Sequence, residues 1–423
     1  MDKFTYFFLF FTTFISRLLF KYFSGYDNFE LFGDSVRYHI LSDRILEGNT
    51  DLDFIAFIIS PLYPYTLALF KYIAPMNWEM IAILFQFFLV SLSVVYLTKL
   101  SEILFANKLI SILTGVIYMI YPMTLFYNFT LSQETSFQSY FIMSSYFLVK
   151  FLKDRKLRTL IIFSLLFSFS FLTKSHILIF FPFIVILIFY DSKPYMKIKS
   201  KCIQSVVLST ICFLVTVPDG INNYQIHGIY TLSGIGVKTF FHNGNSQENY
   251  DFVFKNIGLN DGQEMHYIFD TTYYFKGLGK INAMPHQKKQ DLHLDLAVKW
   301  INENPIQFLQ LKLYSGIRFF APGVSFSKYN IKIWFFSILS SAPIFIMAYI
   351  SLFWIIKNGD LFHHRFIFFL MANIFIFYIV FMPQTRFRAI TLEPFYIIYA
   401  SNTLLSIIKR LSNYNQFAKT VLK

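Results

Sequence analysis

Four short stretches put ionisable side chains at the ends of apolar segments: Asp34 with Arg37 and Tyr38, Gln133-Glu134, Thr173-Lys174-Ser175-His176, and Gln384-Thr385-Arg386-Phe387-Arg388. Most of the chain is compatible with hydrocarbon. A carboxylate with an arginine and a tyrosine on the next turn, close to a membrane surface, therefore calls for a functional reason. If the four stretches meet, as the ends of bundled helices can, they combine acids, cations and hydroxyls at the level of lipid headgroups. Arginine grips phosphate through a planar fork of donors, lysine adds a point charge, and a carboxylate accepts a proton. The natural ligand of such a set is a phosphate on a lipid tail, with Asp34 as the base.

Composition sets the elements that must position these groups. Of 423 residues, 55% are hydrophobic and 14% charged, where a soluble domain carries about a quarter charged residues. The fold class expected is an all-α polytopic membrane protein. A span takes about 20 apolar residues, which gives about ten spans: 4–23, 79–98, 109–127, 132–150, 159–174, 176–190, 202–218, 333–356, 366–382 and 389–408. The connections between the third and fourth and between the ninth and tenth are a few residues long, so those pairs are expected to be helical hairpins. The start of the chain lacks a small-residue cleavage site and reads as an uncleaved signal anchor. Cys202 and Cys212 share one span, too far apart along a helix for a disulfide, and are read as core residues.

The formal charge of +13 is explained by orientation and does not call for a nucleic-acid partner. Lys150, Lys153, Arg155, Lys156 and Arg158 form one block, Lys193, Lys197, Lys199 and Lys201 another, and Lys409, Arg410, Lys419 and Lys423 a third. The span count puts all three on one side, which the positive-inside rule makes cytoplasmic. Both termini then lie inside, with 24–78 and 219–332 outside. Three domains follow: a transmembrane module 1–218 containing the first outer loop 24–78, an outer domain or long loop 219–332, and C-terminal helices with a cytoplasmic tail, 333–423. Lys174, Arg386 and Arg388 run against the orientation rule, which makes them more informative than the cytoplasmic lysines.

Within the first outer loop, Asp34 to Leu46 reads as an amphipathic surface helix, with Tyr38, Leu41 and Ile45 at helical spacing and Gly48-Asn49 as its stop. A second short helix, Leu62 to Ile73, follows Pro61. The outer segment 219–332 carries Gly234-Ile235-Gly236, His242-Asn243-Gly244-Asn245 and a polar helix from Gln287 to Asn302. Plainer roles exist for the same charges. Asp34 could cap its helix, Glu134 could complement a helix dipole, and Arg386 and Arg388 could snorkel to lipid phosphates. Arg37 suits a solvated face. His176, His242 and His363-His364 lack a metal-like spacing and are assigned to structure.

Asp34-Ser35 with Tyr38, Ile45-Leu46-Glu47-Gly48, Ser60-Pro61-Leu62-Tyr63-Pro64, Tyr121-Pro122 and Leu131-Ser132-Gln133-Glu134-Thr135, in that order, resemble the GT-C superfamily of integral-membrane glycosyltransferases. The likeness is nearer to the bacterial branch related to protein mannosyltransferases and aminoarabinose transferases. Leu172-Thr173-Lys174-Ser175 resembles that family's Leu-Thr-Arg-Pro. Asn304-Pro305-Ile306-Gln307-Phe308 resembles its Asn-Pro helix start, and Arg386-Phe387-Arg388 with Glu393-Pro394 its closing Arg-x-Arg and Pro. Two departures stand out: Lys174 replaces an arginine, and Ser35 stands where protein mannosyltransferases carry a second acid.

The resemblance implies a GT-C-like bundle that moves a sugar, with inversion, from a polyprenyl-phosphate carrier to the hydroxyl of a glycan, lipid or protein at the outer face of a bacterial inner membrane. Asp34 would be the base. Glu134 would orient the acceptor, or share a divalent cation with Asp34, the metal requirement being left open. Lys174, Arg386, Arg388, Arg37 and Tyr38 would serve the donor phosphate. Two rival classes remain. A lipid-linked-sugar flippase would show mid-membrane charges and a repeat of spans, neither of which is visible. A surface-polysaccharide polymerase or ligase would rely on arginine and histidine in a large outer loop, and 219–332 does contain histidines.

Overall fold

The computed structural model describes residues 1–24, 34–48, 59–190, 197–232, 236–254, 285–324, 331–381 and 385–421. Lys193, Gly234-Ile235, Gln384 and Lys423 lie outside the described residues. Among these residues every regular element is helical. In chain order they are α1 Lys3–Ser24, α2 Asp34–Leu46, α3 Leu62–Ile73, α4 Trp78–Phe105, α5 Lys108–Ile120, α6 Pro122–Asn128, α7 Gln133–Asp154 and α8 Leu157–Thr173. A 3-10 turn Ser175–Phe180 leads into α9 Phe181–Tyr190, followed by α10 Ile198–His227, α11 Val237–Gly244, α12 Gln247–Phe254 and α13 His286–Glu303. The chain closes with α14 Pro305–Phe320, α15 Ile331–Lys357, α16 Leu361–Val380, α17 Thr385–Thr391 and α18 Glu393–Val421.

The ten expected spans fall largely on helical residues, but 109–127, 176–190 and 389–408 are each divided between two elements. Length and composition alone qualify four of them, Lys3–Phe23, Trp78–Phe105, Ile198–Ile226 and Ile331–Lys357. A fifth is the pair α5 and α6, bent by 53° where Pro122 removes a backbone donor and starts a new helix at its first position. Leu157–Thr173, Ser175–Phe189 and His364–Val380 are apolar but shorter. α7 is diluted by polar residues. Its buried Ser139, Ser144 and Ser145 let α4 and α8 pack close on either side, as small residues do in membranes. Ser144 and Ser145 donate to the Phe141 carbonyl at 2.9 and 2.8 Å, so their hydroxyls are satisfied within the helix.

Two boundaries differ from expectation. Pro218 lies inside α10, which runs on to His227 and stops at Gly228 in the left-handed conformation. The helix therefore passes the expected limit at 218, since neighbouring groups in a packed bundle tolerate the lost hydrogen bond. The connection between α16 and α18 is not a plain turn either: it carries the short helix α17, and with it Arg386 and Arg388.

The core sits where α4, α7, α8 and α18 face one another, built on Leu97, Phe137, Phe163, Phe167, Tyr396 and Tyr399. A smaller cluster, Tyr38, Tyr63, Leu67, Ile83, Phe87 and Leu131, fastens α2 and α3 to one end of α4. It is at this end that the polar residues gather.

Candidate active site

Asp34 is the first residue of α2, where a helix dipole favours an anion. Two sets of contacts hold α2 in place. On one side Tyr38 is buried edge-on against Tyr63, ring centres 5.2 Å apart at 77°. Tyr63 donates its hydroxyl to Gln86 Oε1 at 3.0 Å, and Gln86 Nε2 donates to the Asn128 and Thr130 carbonyls at 3.2 and 2.9 Å. That relay ends just ahead of Glu134. On the other side the buried Lys71 of α3 reaches Asp43 Oδ1 at 2.6 Å and His39 Nδ1 at 2.9 Å, while its ammonium lies over the Trp78 ring. Burial, then the nearby Glu134 and Asp34 carboxylates, push the Tyr38 phenol well above its usual range. It stays a neutral side chain.

Glu134 is the second residue of α7 and Lys174 the C-terminal cap of α8. Each charge thus has the sign its helix end favours. Lys174 Nζ donates to Glu134 Oε1 at 2.9 Å. Arg386, near the start of α17, places Nη1 3.1 Å from Asp34 Oδ2 and 3.5 Å from Glu134 Oε1. Arg37 Nη1 lies 3.7 Å from Asp34 Oδ1. Four elements distant in sequence thus converge on one site with two carboxylates and three cations, a net charge of one positive.

Accessibility divides the set. The Glu134 and Lys174 side chains are 3% and 5% exposed, whereas Asp34 and Arg386 are 23% and 27% exposed. Asp34, Arg386 and Arg37 can meet a ligand, and Glu134 and Lys174 form the floor beneath them. The Arg386 guanidinium bridges Asp34 and Glu134, the two acids that would share a divalent cation. Among the described residues no three His, Cys, Asp or Glu side chains gather as a metal site.

Arg388 is not part of the cluster. It is fully buried, with Nε on Glu393 Oε1 at 2.9 Å and Nη1 on the Arg318 carbonyl at 2.7 Å. It also donates to the Ala321 carbonyl and, through Nη2, to Gly323 at 3.3 Å. Residues two apart on a helix point about 200° from each other, so α17 sends its two arginines in opposing directions. His176 packs among Phe137, Phe377 and Phe387. His364 Nδ1 lies 3.1 Å from the Tyr399 hydroxyl. Sequence reasoning overlooked Lys71, His39, Asp43 and Gln86. Only Lys71 carried a signal, as a cation in a segment placed outside.

The sequence profile of the dolichyl-phosphate-mannose-protein mannosyltransferase family matches residues 59–221, a stretch that contains Glu134 and Lys174 but neither Asp34 nor Arg386. Among solved structures the chain is similar to an oligosaccharyltransferase of Archaeoglobus fulgidus, crystallised with a tethered acceptor peptide containing an NVT sequon. The TM-score is 0.58 at 11% identity, over 98% of this chain. At that identity the likeness is one of fold. No curated protein matches the sequence. The chain spans about half the length of the oligosaccharyltransferase it resembles, 51%. Profile and fold together support a GT-C glycosyltransferase, mannosyltransferase-like and multi-pass in the membrane. The expected resemblance to this superfamily is borne out.

Proposed function

We propose that the protein is an inverting glycosyltransferase that moves a sugar from a polyprenyl-phosphate carrier to the hydroxyl of a glycan, lipid or protein acceptor on the outer face of a bacterial inner membrane, with both termini cytoplasmic. The observation that carries this reading is the convergence of Asp34, Glu134, Lys174 and Arg386 at one end of the bundle.

In the reaction, the acceptor O–H gives its proton to the Asp34 carboxylate while the acceptor oxygen bonds to the anomeric carbon. The bond from that carbon to the phosphate oxygen breaks on the opposite face, and its electron pair leaves with the carrier phosphate. The leaving phosphate is a weak base and needs no general acid. Arg386 and Arg37 meet the charge that grows on it, which is the largest contribution such donors make. Glu134 holds Arg386 in place from beneath and is itself paired with Lys174. Arg388 belongs to the scaffold, since its donors are occupied by a carboxylate and by backbone carbonyls.

Asp34→Asn keeps the shape of the side chain but removes the proton acceptor. Transfer of a labelled sugar from polyprenyl phosphate in membranes should fall by about 10²- to 10⁴-fold, the usual contribution of a general base, with expression unchanged. Full activity in that variant refutes the assignment. Arg386→Ala should weaken donor use far more than Lys153→Ala in the cytoplasmic block, and equal effects would indicate general folding damage.

A further inference from the structure

Arg388 and the His242-Asn243-Gly244-Asn245 stretch are the polar features that the reaction above does not use, and they meet on one element. The C-terminal end of α14 presents the carbonyls of Arg318, Phe319, Ala321 and Gly323, and all four accept from Arg388. A guanidinium at a helix C-terminus satisfies carbonyls that no amide can reach and complements the dipole. The same side chain pairs with Glu393 of α18, which also accepts from Tyr121 at 2.5 Å. The Arg388 backbone N–H donates to Tyr378 of α16 at 3.2 Å. α17 is thus tied to α14, α16 and α18 through one residue.

The C-terminal end of α16 is held by α11 and its cap, Asn245. Asn245 Nδ2 donates to the Val380 carbonyl at 3.0 Å and to Phe241 at 2.7 Å. Gly244 comes so close that a Cβ there would lie 2.0 Å from the Phe381 carbonyl oxygen. Only glycine permits that approach. Phe240 packs on Phe377, Phe381 and Phe387, and Phe387 sits between the two arginines of α17.

We infer that Arg388 and Asn245 are positioning residues: Arg388 ties α17 to α14, and Asn245 fixes the end of α16 against α11, whose Phe240 also packs on Phe387 of α17, so that α11 and α14 set where the Arg386 guanidinium stands over Asp34 and Glu134. The Arg386 guanidinium meets Asp34 and Glu134 at its tip, while its backbone stands at the start of a seven-residue helix that the neighbouring helices must hold. Movement of α11 or α14 passes to it through α17. Misplacing a catalytic donor by about 1 Å can cost about 10²-fold in rate. These two helices would therefore tune donor activation without touching the donor. This inference rests on the reading of Arg386 as a phosphate-stabilising residue.

The test uses the full-length protein in lipid nanodiscs and compares wild type, Asn245→Ala, Gly244→Ala and Arg388→Lys. Amide exchange over residues 385–391 should quicken at least tenfold in each variant, while exchange over residues 133–154 stays as in wild type. In transfer assays each variant should lower kcat by about tenfold or more. Combined with Arg386→Ala, each should add less than about threefold, because both changes act on one guanidinium. Arg388→Lys restores a charge at the α14 terminus but not the fork, so it should keep the fold and still lose kcat. Unchanged exchange at 385–391 in folded Asn245→Ala protein, or losses that multiply with Arg386→Ala, overturn the clamp. A wild-type protein that uses no polyprenyl-phosphate donor refutes the functional reading alone, and the exchange measurement still decides the clamp.

Discussion

Glu134→Gln probes the floor of the cluster. Glu134 meets Lys174 at 2.9 Å and Arg386 at 3.5 Å. At an effective dielectric of about 20 these contacts are worth about 6 and about 5 kcal/mol before desolvation, which cancels much of both. Removing one partner of a buried pair leaves the other uncompensated and costs about 3–5 kcal/mol. The amide oxygen still accepts from Lys174, so the lower end of that range is expected. Lys174→Met leaves Glu134 with Arg386 alone and should cost a similar amount. The double variant removes both charges and should return to within about 2 kcal/mol of wild type, giving a coupling of about 4 kcal/mol. Transfer should remain lost in the double variant. Without Glu134, Arg386 binds Asp34 alone and makes it a poorer base. Free energies come from unfolding in mixed micelles titrated with a denaturing detergent, and activity from sugar transfer. Single costs that simply add, or a double variant with full transfer, would refute the reasoning.

Two further outcomes follow from the same contacts. Lys71→Met removes the ammonium that joins Asp43 and His39. A hydrogen bond to a charged group contributes about 1.5–3 kcal/mol, so α2 should exchange its amides faster and transfer should fall with it. Unchanged exchange in α2 would show that the clamp is not needed. His242 of α11 and His293 of α13 face each other at 3.1 Å, and burial pushes both down to about 4, with His242 also feeling His293, and His293 feeling Lys289. Their folded values lie below the ordinary 6.5. The unfolded chain therefore binds protons first as pH falls, and stability present above pH 6.5 is lost between 6.5 and 4. Amides of 237–244 and 286–303 should lose protection at pH 5 relative to pH 7 after correction for intrinsic rates, and His293→Gln should flatten the difference. Equal protection at the two pH values would count against it.

Periodicity and stop signals were enough to place some elements closely. The helix expected over Asp34 to Leu46 has those limits, as does Leu62 to Ile73, and the polar helix expected over Gln287 to Asn302 spans His286–Glu303. The grouping of Asp34, Glu134, Lys174 and Arg386 was legible because each charge sits at the end of an apolar run, where lipid leaves few other uses for it. What escaped the sequence needed three dimensions. Arg386 and Arg388 look alike in a tripeptide, and only a helical α17 turns them apart. Glu393, read as part of a Glu-Pro pair, is the buried partner of Arg388 and Tyr121. The Lys71 contacts join helices 28 and 32 residues apart in sequence, a separation that no periodicity reports.

The two ends of the bundle treat cations differently, and the difference bears on which end works. At the end opposite the cluster, the Met1 ammonium and the Tyr6 hydroxyl meet Glu102, and Lys108 lies 3.4 Å from the exposed Asp2. Lys99 lies over the Tyr6 and Tyr96 rings and Lys150 over Tyr146. Rings and amines at one level form the belt expected at a membrane–water interface, and an excess of lysine there sets orientation without needing a matched acid. At the cluster end, Lys174 and Arg386 are each held by a carboxylate, and Lys174 is buried with its partner. Orientation does not require such pairing, and burying a lysine to obtain it is unfavourable unless the charge is used. The proposed orientation follows the positive-inside rule in putting the lysine-rich end in the cytoplasm. Under that proposal the acid and its guanidinium open on the outer leaflet, where a polyprenyl phosphate would present its sugar beside Asp34.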